Sequence, residues 1–221
     1  MDTEEPKKTK QRILETSLRL FSKRGFSAVS VRDITTEVGV RESALYKHFP
    51  SKRAVFDQLL ADYLTRCDDF MSSIYASMTN DPDDLAMRAD IYSTLSDEEF
   101  LRIGSSVFTD FLMQPDVLNF WRMVSIERFR DRELAEMWRH HLFEEPIAYQ
   151  TAFFSFLIKA GALVPVDPSM LALEFYTPLL LLYLQALPFD PDSKEFKQTL
   201  ELSNSHMLHF RDTYGQKRED T

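Results

Sequence analysis

The chain is predicted to be all-α, with a small basic three-helix head followed by a larger acidic helical body. Three observations carry this prediction. Apolar residues recur at three- and four-residue spacing along most of the 221 residues, without the alternation of a half-buried strand. Only five glycines are present, too few for a fold full of tight β turns or for phosphate-cradling loops. Charge is segregated: Lys7 to Arg53 holds twelve Lys/Arg against four Asp/Glu, whereas the whole chain carries −9, so the remainder stands at −17. A basic head can meet phosphates that an acidic body would repel.

The first helix is expected from about Thr9 to Arg24, with Ile13, Leu14, Ser17, Leu18 and Phe21 on its inward stripe and Gly25 just past its end. Ser30 is placed to cap a second helix, with Asp33 at the third helical position and Gly39 as terminator. A short third helix should run from Glu42 to His48, because Pro50 restrains Phe49. Ser51 then opens a long helix carrying Val55, Phe56, Leu59, Leu60, Tyr63 and Leu64.

Further helices are predicted at Asp97–Met113, Pro115–Phe129, Arg132–Lys159, Ser169–Leu187 and Ser193–Tyr214, with a loop at Asn80–Asp84. Pro146 should kink or divide the third of these. The apolar run Pro178–Leu187 is shorter than the ~20 residues a membrane helix needs, and MDTEEPKKTKQ lacks the apolar core of a signal peptide. Cys67, the single cysteine, allows no intramolecular disulfide. A cytoplasmic protein is expected.

Two short helices about Gly39 form a helix-turn-helix, a motif whose second helix enters the DNA major groove. Leu45-Tyr46-Lys47-His48-Phe49-Pro50-Ser51-Lys52 resembles the Leu-Tyr-x-His/Tyr-Phe-x-Ser-Lys run that closes the N-terminal domain of the TetR family of transcriptional regulators. The resemblance implies a DNA-binding domain over 1–53 and a helical effector-binding and dimerisation domain over 54–221, with the last two long helices pairing between copies. It also implies a repressor that binds a palindromic operator as a homodimer. One position departs from the family pattern. Arg41 stands where a capping Ser or Thr is common, and an arginine side chain cannot cap the helix in that way.

Candidate DNA contacts are Ser30, Arg32, Arg41, Ser43, Tyr46, Lys47, His48 and Lys52. Ser30 offers a hydroxyl and helix-terminal amides, Arg32 and Lys52 offer cationic reach, and Tyr46 and His48 can bond phosphate oxygens. Arg41 can pair with guanine or hold a phosphate, and Ser43 or Lys47 can reach adjacent base edges. In the body, Phe108, Phe111, Trp121, Met123, Trp138, Phe143, Tyr149 and Tyr176 either line an apolar effector pocket or form core. Ala152, Phe153, Phe156, Leu157, Leu179, Leu182 and Tyr183 are the candidate dimer face, since Leu179–Leu184 is apolar all round.

No nucleophile elbow, P-loop or dinucleotide fingerprint occurs, so no catalytic residue, metal or cofactor is assigned. His140/Glu144, His141/Glu145 and His206/His209 have helical spacing, but two ligands on one helix do not make a metal site. Two alternatives stay open beside the effector-released repressor: a DNA-binding protein whose body docks a protein partner, and a helical enzyme that has co-opted the head.

Overall fold

The computed structural model describes residues 4–76, 94–106 and 111–216. Every element among them is helical: α1 Glu4–Arg24, α2 Val31–Val38, α3 Glu42–Tyr46, α4 Lys52–Ala76, α5 Asp97–Ser106, α6 Pro115–Glu127, α7 Arg132–Arg139, a π-helical turn His140–Glu144, α8 Glu145–Lys159, α9 Pro168–Ala186 and α10 Lys194–Tyr214. The loop expected at Asn80–Asp84 lies outside the described residues.

Contacts divide the chain into two units, residues 1–74 with 114–135, and residues 75–113 with 136–221. The helix-turn-helix is thus supported from far along the chain, because α6 packs against α1. Ile13, Phe21, Ile34, Leu45 and Val55 are fully buried, so the first four helices share one core. Phe21, Phe26 and Phe56 meet at ring-centroid distances of 4.9 to 6.1 Å, in tilted and edge-on arrangements that suit aromatic quadrupoles.

The second unit is built on α8, α9 and α10. Phe154 and Leu157 of α8, Leu171 and Ala172 of α9 and Phe210 of α10 are buried together. The Phe154 and Phe210 rings stack at 5.2 Å, and Phe175 meets both edge-on. An isolated bridge between Leu163 and Gly215 ties the loop after α8 to the end of α10. In composition and length α9, at 19 residues, could cross a bilayer. One face of it is buried in the protomer: Leu171, Ala172, Leu179, Leu180, Tyr183 and Ala186 are covered, and it packs on α8 and α10.

The division predicted at Pro146 takes a specific form. Proline has no N–H for the carbonyl four residues back, that of Leu142. The backbone widens just before it, and the Glu145 N–H reaches the His140 carbonyl, five residues back. The buried Tyr176 hydroxyl then donates to the Leu142 carbonyl at 2.9 Å, supplying from α9 the donor that Pro146 lacks.

Candidate nucleic-acid interface

The recognition elements are held by local caps and by contacts from α1. At the start of α2, the Ser30 hydroxyl accepts from the Asp33 N–H at 3.1 Å, and the Asp33 carboxylate accepts from the Ser30 N–H at 2.7 Å. The Ser30 N–H, the Ser30 hydroxyl, which donates to the same carboxylate at 2.7 Å, and the nearby Arg24 guanidinium hold the Asp33 carboxyl below the usual carboxylate range. Gly39 ends α2 at φ +76°, a left-handed conformation that other residues adopt only with strain. Arg12 donates to the Val38 carbonyl at that end, where the helix dipole favours a cation. Arg19 pairs with Glu37 at 2.7 Å.

After the Gly39–Val40 turn, α3 begins with Arg41 as N-cap, and its side chain makes no capping bond. Leu45 is buried and anchors the helix, whereas Arg41, Ser43, Tyr46 and Lys47 are exposed and His48 is half-buried. Helix α3 stops at Tyr46, two residues before the expected end. Lys47 and His48 continue as a turn in which the His48 N–H bonds the Leu45 carbonyl at 2.9 Å. The buried Phe49 ring closes this turn beneath Lys10, whose ammonium lies 5.5 Å from the ring centroid.

Ser30 and Arg32 are exposed at the head of α2, beside the exposed edge of α3 in sequence and within the same unit. Lys52 requires a correction. Expected as a cationic arm, it turns inward: its ammonium donates to the Phe26 carbonyl at 2.7 Å and the Val29 carbonyl at 2.6 Å, 4.1 Å from the Phe26 ring centroid. Desolvation pushes its pKa down, against the pull of Glu127 and Asp33. Lys52 therefore pins the loop that delivers Ser30 to the start of α2, and positions the interface without reaching across it.

Glu127 serves the same loop and was not foreseen from the sequence. Buried at the end of α6, it accepts from the Phe26 N–H at 2.8 Å. Only the glycine at position 25 leaves room: a Cβ there, at φ +78°, would sit 2.8 Å from the Glu127 Oε1. No local signal marks this contact, since Phe26 and Glu127 are 101 residues apart.

The residues expected to line an effector pocket are distributed over both units. Trp121 and Met123 are wholly buried in the first unit, Trp121 edge-on to Tyr63 at 5.4 Å. Phe111 and Trp138 are buried in the second unit, Tyr149 is half-buried there, and Phe143 is exposed. Tyr176 is committed to the Leu142 carbonyl, and Phe108 lies outside the described residues.

The expected dimer face also divides. Leu157, Leu179 and Tyr183 are covered by the protomer itself and cannot form an outer face, a correction that follows from the packing of α8 to α10. Ala152 is exposed, and Phe153, Phe156 and Leu182 are half-buried. Among the described residues of α9 and α10, the large apolar side chains left exposed are Met170, Leu173 and Leu181 on α9 and Leu202 on α10, with Leu181 and Leu202 each 57% exposed.

Residues 13–59 match the family described as "Bacterial regulatory proteins, tetR family". YerO, a helix-turn-helix-type transcriptional regulator of Bacillus subtilis (strain 168), is 38% identical over 77 residues, which are 35% of this chain and 24% of that protein. IcaR of Staphylococcus aureus, negative regulator of the biofilm operon icaADBC, is 29% identical over 65 residues, 29% of this chain and 33% of IcaR. The chain thus spans about a quarter to a third of the curated relatives it matches.

Two crystal structures share the fold along nearly the whole length. A Mesorhizobium loti protein described as a TetR-family transcriptional regulator aligns with a TM-score of 0.60 at 17% identity, over 96% of this chain and 99% of that one. A TetR-family regulator of Pseudomonas syringae pv. tomato aligns with a TM-score of 0.54 at 21% identity, over 93% and 96%. Residues 13–59, on which the helix-turn-helix is built, thus match the TetR family of bacterial regulatory proteins, and the described residues share the all-helical fold of those two structures.

Proposed function

We propose that this protein is a one-component transcriptional repressor: a cytoplasmic homodimer that occupies a palindromic DNA operator and leaves it when a small lipophilic or aromatic effector binds the helical second unit. The observation that carries the reading is the exposed edge of α3. Ser43 and Tyr46 project from a helix whose one buried residue, Leu45, locks it to the core, and Arg41 and Lys47 stand exposed at its two caps. Tyr46 and His48 then grip phosphate, Arg41 and Ser43 read base edges, and the N-terminus of α2 adds Ser30 and Arg32. Binding of the effector must favour the arrangement that does not fit the operator, since equal affinity for both arrangements would release nothing.

Two copies are needed to present two recognition helices to a two-fold operator. The exposed Met170, Leu173 and Leu181 of α9 and Leu202 of α10 support a face for the second copy, and Phe153, Phe156 and Leu182 keep only part of their surface exposed. Leu181→Glu is then expected to yield monomers by light scattering, while a variant that stays dimeric would move the face elsewhere. Buried Phe111 and Trp138 and half-buried Tyr149 support the aromatic character of the effector site.

The test of DNA binding is a salt titration on duplexes from the region upstream of the protein's own gene. Affinity should fall with salt at a slope of roughly −0.9 per phosphate contacted. Tyr46→Ala should weaken binding to every sequence, and Arg41→Ala should relax base preference at one position per half-site. Salt-insensitive binding would refute the proposal, and a uniform loss in Arg41→Ala would make that residue a phosphate contact.

A further inference from the structure

The first unit contains a cleft of about 400 Å³, a size suited to a small molecule, that plays no part in the DNA-facing edge of α3. Three helices frame it, each presenting residues at three- and four-residue spacing: α1 with Leu14 and Leu18, α4 with Leu59 and Tyr63, and α6 with Phe120. Its floor is apolar and preformed. Leu14, Leu59, Tyr63 and Phe120 are buried, and the Tyr63 and Phe120 rings stack nearly parallel at 3.8 Å.

The rim has the opposite character. Glu15, Asp62 and Asp116 line it against a single cation, Arg66. Arg66 pairs with Asp116. Glu15 and Asp62 instead accept from neutral amides, those of Gln11 at 3.0 Å and Gln58 at 2.8 Å. Two carboxylates whose described partners carry no charge thus stand at the edge of an apolar slot.

We infer that this cleft binds a small organic cation with a hydrocarbon body, an alkyl- or arylammonium. Its charge is held at Glu15 and Asp62, and its apolar part lies on Leu14, Leu18, Leu59 and Phe120. Charge complementarity selects this class over the others. A neutral hydrocarbon would strip water from the carboxylates without compensating them, an anion would be repelled, and a hydrated inorganic ion would gain nothing from the floor. The occupied face of α1 belongs to the helix whose Arg12 and Arg19 brace α2, so the ligand would act on the element that supports the DNA-facing helices. This second site is independent of the operator reading, because its test requires no DNA.

The test is calorimetric titration of the full chain with phenyltrimethylammonium, its uncharged isostere tert-butylbenzene, and benzenesulfonate. The cation should bind about tenfold more tightly than the neutral isostere, as two partly exposed ion pairs allow, and benzenesulfonate should not bind. Glu15→Gln with Asp62→Asn, both at exposed positions, should remove that preference while leaving the helical circular-dichroism signal unchanged. Leu18→Trp should fill the slot and abolish binding of both the cation and tert-butylbenzene. Equal binding of the cation and its neutral isostere, unchanged affinity in the double variant, or undiminished binding in a folded Leu18→Trp protein would each overturn the assignment.

Discussion

Replacing Tyr176 by Phe removes one oxygen atom, and the structure indicates where the cost falls. The Tyr176 hydroxyl donates at 2.9 Å to the carbonyl of Leu142, a residue that is 1% exposed. Pro146, four residues on, has no N–H to replace that donor, so the variant leaves the carbonyl without either bond. A buried group stranded in this way costs roughly 1–3 kcal/mol. At about 2–4 °C per kcal/mol for a chain of this size, the melting temperature should fall by several degrees.

A cycle with Pro146→Ala separates this mechanism from a generic packing loss. In the Tyr176→Phe background the new alanine N–H can reach Leu142, so Pro146→Ala should recover about 1 kcal/mol that it does not supply to the wild type. The pH dependence has a defined sign. Burial raises the Tyr176 pKa above its ordinary 10.0. Its contribution is therefore complete below pH 10 and is lost as pH rises further, a loss the Phe variant should not show. Scanning calorimetry across pH reads both effects. A Tyr176→Phe protein as stable as wild type, or a cycle additive within about 0.5 kcal/mol, would refute the reasoning.

Three further outcomes concern the head. Lys52→Met should lower thermal stability by about 1.5–3 kcal/mol for each charge-assisted bond lost, with little change in the salt slope of DNA binding. If stability holds and the slope instead drops by about 0.9, Lys52 is a phosphate contact after all. Gly25→Ala should destabilise by more than the ~1–2 kcal/mol of a left-handed backbone, because its Cβ would also press on Glu127. A smaller loss in urea denaturation would mean that Glu127 moves aside freely. Ser30→Ala should cost about 0.5–2 kcal/mol by circular-dichroism melts. Because the folded state depresses the Asp33 pKa below 3.8, the bond from the Ser30 hydroxyl to that carboxylate contributes fully above pH ~4 and fades as pH falls, so the gap between the two proteins should narrow in acid, while the bond from the Asp33 N–H to the Ser30 hydroxyl keeps it from closing.

Local features of the head could be read directly from the sequence because each arises within one helical turn. Ser30 and Asp33 are three residues apart, as a capping box requires, and Gly39 follows the last residue of α2. Periodicity likewise placed the buried Leu45, Val55 and Phe56, and Pro146 marked the break before α8. Periodicity does not say which of two apolar faces a helix turns inward. On α9 the run Leu179–Leu184 looks uniform, yet Leu179, Leu180 and Tyr183 are buried while Leu181 is 57% exposed.

By itself, then, the sequence determined the helical class, the basic head and the helix-turn-helix, because backbone caps and hydrophobic spacing act over three or four residues. Only the tertiary structure decided which groups those elements expose. It turned Lys52 from a free cation into the clamp on Phe26 and Val29, brought Glu127 to the loop before α2, and aimed the Tyr176 hydroxyl at the carbonyl that Pro146 leaves without a donor. Those bonds join residues 23 to 101 positions apart, at separations where nothing in the local pattern of either partner records the other.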